Sequence, residues 1–269
     1  MPELSIVQYS LVYNMFSFTI ACMLASFAFF IFARDRVAPK YRISLVVSAL
    51  VVGIAAYHYF RIAHSWEQAY SLMDGMYAAS GKPFNDAYRY VDWLLTVPLL
   101  MVELVLVMGL ASGLTKSLLA RLTTAAFLMI ALGYPGEMLP ADQKTSMMSA
   151  YGMWGFLSTI PFVYILYVLW VELGKTMDRQ PPKVRVLLRN IRLLTLATWG
   201  FYPIAYMGPF IGFGSGAGGE VFVQVGYTIA DVLAKCGYGV MIYHIARAKT
   251  EAEEEGTAVP AGEPAPASA

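Results

Sequence analysis

Charge is what this chain has least of. Lys, Arg, Asp and Glu make up 14% of its 269 residues, against roughly 25% in soluble globular chains. That scarcity excludes an ordinary soluble domain. The net charge of +1 leaves no electrostatic footprint for nucleic acid as a partner. Two cysteines, Cys22 and Cys236, are too few for a disulfide framework; both fall in apolar stretches and are read as buried, reduced thiols. A basic start followed by a short apolar run is also missing, so no cleavable signal peptide is expected. No internal repeat is found.

Apolar residue types fill the space, at 58% of the chain. Charge-free stretches cover Leu4–Ala33, Ile43–Phe60, Thr145–Val171 and Leu193–Gly219. A membrane-crossing helix takes about 20 mostly apolar residues, and soluble core helices are seldom apolar on every side for that length. With three further segments the chain divides into seven spans, at 8–33, 43–63, 87–109, 118–137, 147–173, 189–210 and 220–246. The fold class expected is an all-α, seven-transmembrane-helix bundle within residues 1–249. Residues 250–269 are expected to be a disordered cytoplasmic tail, on the strength of their Glu-, Pro- and Ala-rich composition.

The connections sort by charge. Arg34, Arg36, Lys40 and Arg42 follow the first span, Lys116 and Arg121 the third, and Lys175, Arg179, Lys183 and Arg185 the fifth. Glu67, Asp74, Asp86, Glu137, Asp142 and Glu220 mark the opposite side. Basic loops stay in the cytoplasm, which puts the N-terminus outside and the C-terminus inside. The glycine-rich connection Gly208–Gly219 is expected to be mobile.

Ionisable groups inside spans cost at least about 2.5–3.5 kcal/mol each and mark function. The seventh span holds Asp231 and Lys235, four residues apart and so on one face. A structural ion pair is the plain alternative. Snorkelling fails on distance, because Lys235 lies about 16 Å of helix from the inner end. A lysine held there can form a Schiff base with an aldehyde. In the third span Arg89, Thr96 and Glu103 stand at offsets −3, +4 and +11 from Asp92. All are near whole turns, so one stripe faces the bundle interior. Both helices run outside to inside, so Asp231 is on the outer side of Lys235 and Glu103 near the inner end. A protonated Schiff base and Arg89 can balance Asp92 and Asp231 as carboxylates, whereas Glu103 has no evident partner and burial favours its neutral form. An ionised acceptor outside and a loaded donor inside would give a proton a direction.

RYVDWLLTVPLL (Arg89–Leu100) with ADVLAK (Ala230–Lys235) resembles the microbial (type 1) rhodopsins, close to the proteorhodopsins and closer to their xanthorhodopsin-like branch, over roughly residues 8–248. The resemblance implies a light-driven outward proton pump, a transporter rather than an enzyme, in the cell membrane. All-trans retinal would sit on Lys235, with Asp92 as primary counterion and proton acceptor, Asp231 as second counterion and Glu103 as cytoplasmic donor; no metal is implied. His58 matches the histidine that pairs with the acceptor, where a lone helix-end histidine would otherwise be a packing residue. Trp93, Trp199, Tyr202, Pro203 and Tyr206 match the retinal pocket, although aromatics at helical spacing are more often mere core. Leu100 matches the position where leucine goes with green absorption. Tyr227 is expected to hydrogen-bond near the counterions, and Pro203 to kink its span. Homo-oligomers (trimer, pentamer or hexamer) are usual in the family.

Gly155 departs from the plain proteorhodopsins, which carry a bulky aromatic there. The xanthorhodopsin-like resemblance implies a side opening for a hydroxylated carotenoid antenna; the alternative is a small residue for helix packing. A sodium pump of this family would show Asn, Asp and Gln where this chain has Asp92, Thr96 and Glu103, and a chloride pump would lack the first carboxylate. A sensory photoreceptor is the remaining rival, against which Glu103 and the short tail both weigh. Glu220 is the candidate outer release group, and Glu137 reads as a solvated interface acid.

Overall fold

The computed structural model describes residues 1–140, 143–144, 146–208 and 216–256. Asp142, most of the 208–219 connection and residues 257–269 lie outside the described residues. The spans are helices, generally longer than composition alone marks. They are α1 (Ile6–Ala33), α2 (Pro39–Ala69), α3 (Ala87–Met108), α4 (Ser112–Glu137) and α5 (Ala150–Tyr167). The sixth span is α6 (Pro182–Trp199) with α7 (Phe201–Tyr206), and the seventh is α8 (Gly216–Asp231) with α9 (Tyr238–Glu254). The first five helical stretches are each long and apolar enough to cross a membrane. Consecutive helices pack side by side, α1 on α2, α2 on α3, α3 on α4 and α4 on α5, and α9 closes against α6 and α2. Outward faces are apolar, as at Phe32 and Phe156, which suits lipid as the solvent.

Local chemistry explains the ends and breaks. Ser5 and Gln8 form a reciprocal capping box at the start of α1, with bonds of 3.2 and 2.9 Å. Gly109 ends α3 in the left-handed region, φ 59°, its N–H returning to the Leu106 carbonyl. Pro203 has no N–H to donate one turn back, and the sixth span breaks at Gly200, which separates α6 from α7. The seventh span is interrupted by a π turn, Val232–Gly237, that contains Lys235. A second π turn, Val168–Glu172, continues α5.

Three features correct the sequence reading. A small antiparallel sheet, ordered β1 (Leu4–Ser5), β3 (Met76–Ala79), β2 (Tyr70–Met73), covers one end of the bundle. Its hairpin turns at Asp74 and Gly75, φ 48° and 81°, the turn that Asp-Gly favours. The last helix continues to Glu254, past residue 250 where the tail was expected to begin. It is fastened there, since Thr250 accepts from the Ala38 N–H at 2.9 Å and Glu253 pairs with Lys40 at 2.8 Å. Finally, Cys236 is buried but Cys22 only half-buried; both are free thiols.

Candidate functional site

The two charged spans meet at the centre of the bundle. Lys235 Nζ lies 2.6 Å from Asp231 Oδ1 and 3.1 Å from Asp92 Oδ2. All three side chains are almost wholly buried, at 2%, 0% and 1% exposure, so the pairing cannot be screened by bulk water. The two carboxylates differ in their surroundings. Asp231 accepts from the hydroxyls of Tyr59 at 2.8 Å and Tyr202 at 2.7 Å and from the Trp93 indole N–H at 3.2 Å. Asp92 receives no hydroxyl, amide or indole donor among the described residues; its remaining polar neighbour is His58, with Nδ1 at 3.9 Å. That nitrogen also lies 3.0 Å from the Ile54 carbonyl, so His58 is near Asp92 without a hydrogen bond to it. Thr96 binds the backbone carbonyl of Asp92, at 2.8 Å, rather than its carboxylate.

Arg89 and Glu103 each have a direct partner that the sequence did not reveal. Arg89 interacts with the charge of Asp231 at a distance but makes no direct ion pair with Asp92 or Asp231. Its guanidinium pairs with Asp86, donates to Gln224 Oε1 at 2.8 Å, and lies 5.1 Å from the Tyr227 ring centre. Gln224 in turn donates to Glu220 at 3.0 Å. Glu103 does have a partner: fully buried on α3, it is bonded through Oε2 to the hydroxyl of Ser48 on α2, while Oε1 has none among the described residues. Glu137 is not merely solvated either, since Lys144 pairs with it at 3.0 Å.

Beside Lys235 is a cavity of about 320 Å³, within the size range of small-molecule sites. Trp93, Leu100, Gly155, Trp199, Tyr202, Pro203 and Tyr206 line it, as the sequence anticipated, and Lys235 closes one wall. Tyr227 is the exception. It stands behind this wall, its ring against Trp93, Tyr202 and Arg89, whereas the neighbouring Tyr59 donates its hydroxyl to Asp231. A mostly apolar chamber with one buried amine and two adjacent carboxylates fits an apolar aldehyde held as a protonated imine.

The comparisons with known proteins agree. The family model described as bacteriorhodopsin-like protein matches residues 11–249. The chain belongs to that family, the microbial rhodopsins. It is 32% identical over 228 residues to the green-light absorbing proteorhodopsin of Gamma-proteobacterium EBAC31A08, covering 84% of this chain and 82% of that one. The crystal structure of xanthorhodopsin, described as a light-driven ion pump with dual chromophore, matches with 63% identity and TM-score 0.88 over 95% of this chain and 99% of its own. A thermophilic rhodopsin matches at 52% identity and TM-score 0.88, over 94% and 99%. Microbial rhodopsins are multi-pass membrane proteins that bind retinal through a lysine Schiff base.

Within this rhodopsin, Gly155 has a definite packing partner. A Cβ there would come within 2.5 Å of Tyr206 Cε1. Tyr206 stacks on Tyr151, ring centres 4.1 Å apart, and the pair exchange hydroxyl-to-carbonyl bonds of 2.7 and 2.9 Å. Gly155 also lines the cavity, next to Phe156 and Thr159, whose side chains face outward. The polar residues that sequence reasoning missed are Ser48, Tyr59, Asp86 and Gln224. Only Tyr59 carried a signal, as a polar ring beside His58 in a span.

Proposed function

We propose that this rhodopsin is a light-driven outward proton pump, with its N-terminus outside and all-trans retinal on Lys235. The observation that carries this reading is the unequal setting of two buried carboxyls at one buried amine, with a third buried carboxyl, Glu103, farther along α3. Lys235 would hold retinal, which would supply light absorption and isomerisation when bound. Asp92, 3.1 Å from the Lys235 nitrogen and without other donors among the described residues, is the group best placed to accept a proton from it. Asp231, held by Tyr59, Tyr202 and Trp93, keeps its negative charge and fixes the site's geometry. His58 stands close enough to bias Asp92 electrostatically.

Glu103 holds a proton on the other side, about 16 Å along α3 from Asp92 at helical rise. Hydrogen counting supports this. With Glu103 neutral, its O–H can go to Ser48, and the Ser48 O–H to the Ser44 carbonyl 3.1 Å away, so each hydrogen has an acceptor. Outward of the counterions, Arg89, Gln224 and Glu220 form a bonded series that suits proton exit, with Glu220 as its outer acid. The carboxylate of Asp92 disfavours a halide at that point, and the protonatable Glu103 favours rapid recovery over sensing.

The cavity wall at Gly155, Phe156 and Thr159 supports a carotenoid antenna lying against it. Added hydroxylated carotenoid should then transfer excitation to retinal. The pump reading is tested by illuminating cells supplied with retinal and following external pH. Acidification that a protonophore abolishes is expected; alkalinisation, or no change, would overturn it.

A further inference from the structure

A proton passing from Glu103 to the Lys235 nitrogen, which lies beside Asp92, cannot do so in one hop. Asp92 and Glu103 stand about 16 Å apart along α3, whereas one hydrogen bond spans about 2.5–3.2 Å. The cavity wall in this stretch is apolar, at Val97, Leu100, Trp199 and Ala234. Tyr238 places a hydroxyl there. It is fully buried and directly follows the π turn that holds Lys235. The hydroxyl donates to the Leu100 carbonyl on α3 at 3.2 Å. Leu100 stands about 12 Å inward of Asp92 and about 4.5 Å short of Glu103 at helical rise. The phenol oxygen is therefore between the two ends of the transfer and nearer Glu103, which lies within its electrostatic reach. Thr195 and Thr198 on α6, also buried, donate within their own helix at 2.8 Å each.

A tie between helices is the plain use of this bond, since it fixes the turn around Lys235 against the helix that carries Glu103. Phenylalanine would fill the same space without a buried group that needs a partner, and here the hydroxyl stands where a crossing proton needs a polar step. A phenol both donates and accepts, and its usual pKa of about 10 leaves it neutral before and after a transfer. We propose that Tyr238 relays the proton from Glu103 to the Lys235 nitrogen, with water filling the remaining gaps. The Glu103 O–H bond breaks and a new O–H bond forms at the Tyr238 oxygen. The original Tyr238 hydrogen leaves the Leu100 carbonyl and passes toward Lys235, where an N–H bond forms. Tyr238 ends neutral and Glu103 ends as a carboxylate bonded to Ser48. The relay rests on the reading of Glu103 as the donor.

Two measurements on the full chain test this, each comparing the native protein with Y238F and E103Q. In flash photolysis with retinal bound, Y238F should slow proton return to Lys235 by about tenfold or more and leave the earlier transfer to Asp92 unchanged. Added azide, a small proton carrier, should restore the rate in Y238F, because a carrier replaces a missing relay but does not mend a loosened helix contact. Dark absorption should stay in place and checks the variant's fold, since Tyr238 is not among the cavity's lining residues. In the retinal-free chain, the infrared carboxyl band that E103Q removes should shift in Y238F, as a hydroxyl linked through water to Glu103 is lost. Native-rate return in Y238F, slowing that azide leaves in place, or an unmoved carboxyl band would overturn the relay and leave the pump reading standing. Native-rate return in E103Q would instead remove the donor, and with it the reading on which the relay rests.

Discussion

Ser48 on α2 and Glu103 on α3 are bonded to each other, and this is the single polar link that the described residues offer the carboxyl of Glu103. The bond changes strength with protonation, since a hydroxyl donates about twice as strongly to a charged carboxylate as a neutral pair binds. Ser48 therefore eases departure of the proton. Ser48→Ala should slow photocycle recovery by about tenfold, equivalent to roughly 1.4 kcal/mol. Glu103→Gln, which removes the proton altogether, should slow it more. Flash photolysis at neutral pH checks both; recovery at the native rate in Ser48→Ala would disconnect the serine from the transfer.

Asp92 and Asp231 share one cation, Lys235, and differ in their other partners. Asp92→Asn removes the proposed acceptor, and should abolish proton transport and shift absorption to longer wavelength as a charge opposing the Lys235 cation is lost. Acidification places a proton on the same carboxylate and should mimic the variant, so transport fades and absorption reddens together as pH falls. A visible titration of purified protein, beside light-induced pH changes in vesicles, tests the link. Transport that persists after the red shift is complete would place the acceptor elsewhere.

The contrast between those carboxylates was only half legible in the sequence. Asp231 with Lys235, and Arg89, Asp92, Thr96 and Glu103, could be placed on common faces because helical period fixes what lies within one span. Partners across spans depend on how far each helix slides and turns against its neighbour, which no periodicity records. Ser48, Tyr59 and Gln224 were missed for that reason, whereas Asp86, as close before Arg89 in the chain as Asp92 is after it, was read only as a loop acid. The π turn around Lys235 was hidden likewise. The hairpin was not hidden: Asp74-Gly75 between Tyr70–Met73 and Met76–Ala79 is a short-range turn signal, overshadowed by the long apolar runs on either side.

Tyr59 and Tyr202 each give Asp231 one hydroxyl, on different carboxylate oxygens. Hydrogen bonds to charged groups contribute about 1.5–3 kcal/mol. Either Tyr→Phe change should lower stability by about that amount, read as faster thermal loss of the visible pigment. Tyr202→Phe alters the cavity wall as well, whereas Tyr59 is not among the cavity's lining residues. Only the Tyr202 variant should therefore slow uptake of added retinal by the apoprotein. Equal uptake rates would mean that Tyr202 serves Asp231 alone.

Gly155 and Tyr206 separate two reasons for a missing side chain. If the glycine serves only an antenna, Gly155→Trp should block carotenoid and leave the protein otherwise intact. The close approach of Tyr206 argues otherwise. A tryptophan must push that ring off Tyr151 and break their two reciprocal bonds, and overpacking of this kind costs about 1–3 kcal/mol. Thermal denaturation should show Gly155→Trp destabilised even where no carotenoid is present. Combined with Tyr206→Ala, the same tryptophan should cost less than the two single changes added together, because the displaced ring is already gone. Strict additivity in that cycle would show that the ring and the glycine do not compete for one space.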